Sequence, residues 1–173
     1  MTQKTSENGL GFIAKWEGCI LHVYKDVAGL PTIGVGHLIK PGENFTTITK
    51  AEALELLAKD VSKCEEAIIK NIKVPLNQNQ FDALVSWSFN CGTGVLKTST
   101  LSKRLNEGFY DEVPNHLLNW SKATINGKSQ TVKGLLNRRI SEGQLWNTPV
   151  EVETSNQHKM EFLNGIEFPK ENS

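Results

Sequence analysis

Cysteine is scarce in this chain: Cys19, Cys64 and Cys91 are the only three among 173 residues. Three scattered thiols exclude a disulfide framework and a cysteine zinc site, and read as reduced core or near-core side chains. The four histidines, His22, His37, His116 and His158, show no metal-ligand spacing such as H-E-x-x-H, so neither metal nor cofactor is expected. Long apolar runs are missing too, which leaves no candidate for a membrane-spanning helix. The opening MTQKTSENGL lacks the apolar stretch of a secretory signal, so a protein made inside a cell would need another route to an outside target. Net charge is nil, with 19 basic and 19 acidic side chains. It is unevenly spread: 17 basic face 14 acidic over residues 1–150, and 2 face 5 over 151–173. A basic body is compatible with an anionic polymer, but so small an excess identifies none. The concentrated basic stripe of a nucleic-acid binder is absent.

What is present is an ordinary globular composition, 38% hydrophobic and 22% charged, long enough for one domain or two small lobes sharing a helix. From Asn8 to Cys19 the apolar residues Leu10, Ile13, Ala14 and Trp16 form a helical stripe that Gly18 ends. His22–Tyr24 and Thr32–Val35 read as short strands around a turn holding Gly29 and Pro31, and as the only sheet. Thr49 with Glu52 is a capping box opening one helix that buries Ala53, Leu56, Leu57, Val61, Cys64 and Ile68 and stops before Pro75. Asn77 with Gln80 opens a second, whose ALVSWSF core predicts burial on most sides. Shorter helices are expected near 99–107 and 110–120, a polar loop over 125–131, and a last helix over 132–145. After Pro149 the chain turns polar and acidic, a poorly ordered extension or a short helix near 158–163 anchored by Met160 and Phe162. The fold class is α+β, mostly helical, with a small antiparallel sheet.

The chemistry concentrates between Trp16 and His37. Glu17 falls on the last turn of the first helix, among the apolar Trp16, Cys19 and Ile20, which could desolvate it toward the protonated form a general acid needs, while a close guanidinium would act in the opposite direction. Arg138 or Arg139, far along the chain, could orient it. Asp26 sits in a turn where an aspartate commonly bonds its own backbone, and Thr32 opens a glycine-rich strand. Alone, either is an ordinary structural residue. Together, a turn bringing carboxylate and hydroxyl near each other could hold one water opposite Glu17. Two carboxylates in different settings are what glycoside hydrolysis requires. Gly34 and Gly36 could let a sugar approach the strand backbone, and Trp87 and Trp120 are better core residues than sugar platforms.

These residues carry a resemblance. E-x8-D-x5-T followed by IGVGH, then VPLNQNQFDALVSWSFNCGTG, TSTLSKRLN and GLLNRRISEGQLW, resembles the phage lysozyme (endolysin) family of glycoside hydrolases, family 24, over residues 8–147. The resemblance implies a lysozyme-like fold, with a sheet lobe (about 18–48) joined by a long helix to a helical lobe (about 70–148 plus the N-terminal helix). The catalytic domain would be 1–148 and the tail 149–173. It implies cleavage of the β-1,4 bond between N-acetylmuramic acid and N-acetylglucosamine in bacterial peptidoglycan, leading to host lysis. Glu17 would be the general acid, and Asp26 and Thr32 would place the hydrolytic water. Leu38, Phe89, Asn90 and Thr100 match positions lining the saccharide cleft. His37 would be structural, paired with Asp60 and titrating above its ordinary value. Peptidoglycan is the implied partner. Nucleic acid and stable membrane insertion are not implied. A monomer is expected, held in the host cytoplasm until a holin releases it. The competing readings are a lytic transglycosylase, which would not need the Asp26–Thr32 pair, and a wall-binding module without catalysis.

Overall fold

The structure, a computed structural model, describes residues 2–150; the expected helix near 158–163 lies outside the described residues. Helix α1 (Glu7–Glu17) starts at Ser6, whose hydroxyl accepts from the Gly9 amide, and buries Leu10 and Ile13. It stops at Gly18, whose positive φ of 85° returns its amide to the Ala14 carbonyl. The chain then forms β1 (Ile20–Lys25), β2 (Pro31–Gly34) and β3 (His37–Leu38), a three-stranded antiparallel sheet in sequence order.

The stretch from Thr49 to Ile72 is two helices rather than one. Helix α2 (Lys50–Asp60) opens with the Thr49–Glu52 capping box, and α3 (Ser62–Asn71) follows after Val61. The Ser62 hydroxyl donates to the Lys59 carbonyl at 2.8 Å, a local competitor for the backbone ladder at the junction. Ala53, Leu57, Val61, Cys64 and Ile68 nonetheless share one buried face, while Leu56 is half-buried.

Helix α4 (Gln78–Cys91) is the centre of the molecule. It begins with the Asn77–Gln80 capping box, and all eight residues from Phe81 to Ser88 are buried. Around it pack α5 (Val95–Thr98), α6 (Thr100–Asn106), a 3-10 turn (Tyr110–Glu112), α7 (Val113–Leu118) and α8 (Lys133–Asn147). Trp87 is fully buried and meets Trp120 edge-on at 5.7 Å, so both belong to packing.

The expected polar loop is instead a second sheet, β4 (Lys122–Ile125) paired with β5 (Lys128–Thr131). Asn126 and Gly127 take φ of 52° and 78°, the left-handed pair that a two-residue hairpin turn demands. Both strands are exposed throughout, so no apolar alternation marked them in the sequence. Among the described residues no helix is long and apolar enough to cross a membrane.

Candidate active site

Glu17 is the terminal residue of α1, where the helix end frees its side chain to leave the core. Its carboxylate meets Arg138 of α8, Nη1 to Oε2 at 2.6 Å, and its side chain stays 26% exposed. Of the two candidate arginines, Arg138 makes the contact. Its guanidinium is held from behind: Nη2 donates to the Ser86 carbonyl (3.1 Å) and hydroxyl (3.2 Å), and Nε to Glu142 (3.2 Å). Arg139 turns the other way. Its Nη2 donates to Glu142 and to the Asn90 side-chain carbonyl at 3.0 Å each, and its Nη1 lies 2.7 Å from the Cys91 sulfur.

Glu142 is fully buried and anchors this network. Besides the arginines it accepts from the Ser86 hydroxyl at 2.6 Å, and its second oxygen lies 2.7 Å from Arg139 Nε. Burial pushes its carboxyl up from the ordinary range, against the opposing pull of Arg139, Ser86 and Arg138. Sequence reasoning singled out neither Glu142 nor Ser86. The signal available was spacing, since Glu142 stands four and three residues after the arginines on one helix.

Asp26 and Thr32 are set by hairpin register. Tyr24 pairs with Thr32, and the Asp26 amide donates to the Leu30 carbonyl at 2.9 Å. With side chains alternating along each strand, Tyr24, Asp26 and Thr32 share one face, the last two as diagonal neighbours. One Asp26 oxygen accepts from the Ala28 amide (2.8 Å) and the Leu30 amide (2.9 Å), which pins the turn. The Thr32 hydroxyl donates to the Leu30 carbonyl at 2.9 Å, and the residue is buried. The Tyr24 phenol is raised by its burial, then by the charges of Asp26 and Glu17. Both carboxylates therefore act on one side chain, although they come from different elements.

His37 is scaffold. Nδ1 lies 2.8 Å from Asp60 and Nε2 3.0 Å from Glu43, so both ring nitrogens are committed. Burial alone would lower its value; the hydrogen bonds to Asp60 and then Glu43 outweigh this and raise it. Sequence reasoning named Asp60 and missed Glu43, which the chain brings within reach by a turn six residues on.

Leu38 and Phe89 line one cavity of about 720 Å³ between the sheet, the α2–α3 junction and the end of α4. Gly36 lines it too, with open space where a Cβ would stand. Gly34 does not: a Cβ there would touch Ala53 and Ile48 at 3.4 Å, so this glycine serves the packing of α2 on β2. Asn90 is exposed and bonded to Arg139. Thr100 lies elsewhere, at a smaller cavity of about 220 Å³ with Leu101, His116, Asn119 and Trp120. The three cysteines are unpaired thiols, Cys64 buried and the others half-buried. Among the described residues, no cluster of His, Cys, Asp and Glu is arranged to hold a metal.

A family model described as phage lysozyme matches residues 14–142. The endolysin of Salmonella phage P22 is 41% identical over 145 residues, which span 82% of this chain and 96% of that protein. The endolysin of Acyrthosiphon pisum secondary endosymbiont phage 1 is 40% identical over 143 residues, again 82% and 96%. Among solved structures, an endolysin from Escherichia coli O157:H7 phage FAHEc1 has a TM-score of 0.77 at 38% identity, covering 87% of this chain and 97% of that one. Fold and sequence together define a glycoside hydrolase of the muramidase type. The chain belongs to the phage lysozyme family.

Proposed function

We propose that this glycoside hydrolase cleaves peptidoglycan with Glu17 as general acid and with Asp26 and Thr32 holding the attacking water. Glu17 gives its proton to the glycosidic oxygen as the bond to the muramic acid anomeric carbon breaks. A water adds its oxygen to that carbon and gives a proton to Asp26, so both new ends are complete sugars. The observation that supports this most is the hairpin register, in which Tyr24 faces Thr32 and the Asp26 amide meets Leu30, so that Asp26 and Thr32 are diagonal neighbours. Asp26 spends one oxygen on the turn, leaving the other for a water, and a hydroxyl that donates to Leu30 keeps lone pairs to accept from one. Arg138 supports the role of Glu17 by fixing where its carboxyl points. Leu38 and Phe89 offer apolar contact to the sugar chain, with Asn90 and Thr100 as outlying contacts. The enzyme acts as a monomer on the wall, reaching it from the host cytoplasm once a holin opens the membrane.

The test is clearing of a peptidoglycan suspension by the wild type and by Glu17→Gln. The variant is expected to lose activity by about 10²- to 10⁴-fold, the usual worth of a general acid. Equal clearing by both would overturn the assignment, and an anhydro-muramic end among the products would replace hydrolysis by transglycosylation.

A further inference from the structure

Of the chain's two tyrosines, Tyr110 is committed: its hydroxyl donates to the Pro75 carbonyl at 2.7 Å. Tyr24 is not. Among the described residues no protein group hydrogen-bonds its hydroxyl, on which only burial and charge act. Strand β1 is irregular just before it, for the residues from Leu21 to Val23 stand opposite Ile33 alone, between the Ile20–Gly34 and Tyr24–Thr32 pairs. Such a bulge bends a strand and re-aims the side chain beside it. The pairing then puts Tyr24 across from Thr32 and, two residues before Asp26, on the face that both share. Glu17 approaches the same half-buried side chain from the end of α1. Its charge and that of Asp26 both raise the phenol, which therefore keeps its proton and stays a hydrogen-bond donor.

We propose that Tyr24 is a specificity-determining substrate contact, its hydroxyl donating to the 2-acetamido carbonyl of the muramic acid whose glycosidic bond is broken. The proposal rests on the reading given above, in which Glu17 and Asp26 flank that bond. A free donor on the face between two carboxylates meets the atoms around the anomeric carbon, and few of these can accept. The glycosidic oxygen takes the proton of Glu17. The ring oxygen shares the positive charge that develops as the bond breaks, so a donor there would oppose the reaction. The acetamido carbonyl on the neighbouring carbon is the acceptor left. A hydrogen bond from Tyr24 recognises the N-acetyl group and holds its oxygen off the anomeric carbon, leaving that carbon to the water on Asp26 and Thr32. Tyr24 keeps its own proton throughout, so hydrolysis balances as before.

The experiment offers the full chain one substrate, sacculi whose muramic acids have been partly de-N-acetylated by a deacetylase. Mass spectrometry of the new reducing ends counts cleavage at N-acetylated and at free-amine muramic acid within one reaction, so any loss of folded protein cancels. Tyr24→Phe keeps the ring and removes only the hydroxyl. It is expected to lower the wild-type preference for N-acetylated ends about three- to tenfold, the worth of one hydrogen bond. Tyr110→Phe, which loses its bond to Pro75, should keep the wild-type preference. A Tyr24→Phe variant as selective as the wild type, or an equal loss of preference in Tyr110→Phe, overturns the proposal. Glu17→Gln reports separately on the general acid, through the total number of ends and not through their ratio.

Discussion

Arg138 Nη1 lies 2.6 Å from Glu17 Oε2, joining residues 121 positions apart in the chain. The contact spans the start of the sheet lobe and the last helix. Because Ser86 and Glu142 hold the other face of the guanidinium, it cannot follow the carboxylate as a free surface arginine would. The orientation of the Glu17 carboxylate is therefore tied to Ser86 and Glu142, which are buried behind the arginine.

Arg138→Gln should retain the fold and lose the tether. Truncating one partner of a buried charge network costs roughly 2–5 kcal/mol, in stability and in the pose of Glu17 together. We expect wall-clearing activity about 10- to 100-fold below wild type, on the scale of misplacing a catalytic group. Clearing rates and urea denaturation separate the two contributions. Wild-type rates would mean that Glu17 is positioned without Arg138.

Glu142 has no exposed surface and balances two guanidinium groups. Glu142→Ala leaves Arg139 buried without its anion and Arg138 with Glu17 alone, and should cost about 3–5 kcal/mol, read as a lower urea midpoint with the slope unchanged. Ser86→Ala removes one donor to the same carboxylate and should cost about 1–3 kcal/mol.

His37 gives stability a definite pH dependence. Folding raises its value through Asp60 and Glu43 against the effect of burial, so the native state binds the proton more tightly than the unfolded chain. That contribution is full below the unfolded value of about 6.5 and is lost as pH rises through the higher native value. The stability difference between wild type and His37→Gln should thus be largest in mildly acidic buffer and shrink on the alkaline side. Denaturation series at several pH values decide it; a difference that grows with pH would refute the pairing.

Gly9 is where α1 meets α4. A Cβ there would stand 2.5 Å from Asp82 Cγ, in a carboxylate that the Ser6 amide, the Ser6 hydroxyl and Gln78 already engage. Gly9→Ala should destabilise by about 1–3 kcal/mol through overpacking, despite alanine's better helix propensity. Thermal melting measures the sign, and a stabilised variant would show that Asp82 yields freely.

Local signals carried much of this fold. The two capping boxes, the stop at Gly18 and the apolar faces of α2 to α4 lie in contiguous residues, where hydrogen-bond chemistry and periodicity act over one or two turns. The break at Val61 did not show, because the same apolar stripe runs across it. The β4–β5 hairpin was legible only in its Asn126–Gly127 turn, since strands exposed on both faces leave no alternating pattern.

For the site the division is similar. Glu17, Asp26 and Thr32 could be singled out from residue type and spacing, because a helix end, a turn and a strand each place their own side chains, whereas the His37–Asp60 pair, 23 positions apart, was named only through the family resemblance. Which arginine meets Glu17 was decided only when α8 packed across α4, turning Arg138 toward the cleft and Arg139 toward Asn90 and Cys91. The burial of Glu142 beneath them likewise depends on how the elements pack. Sequence by itself determined the capped and amphipathic helices, the first hairpin and the chemical types they present, since these follow from neighbours along the chain. Tertiary structure alone decided the partners, because burial and charge pairing depend on distances between segments that the chain brings together only on folding.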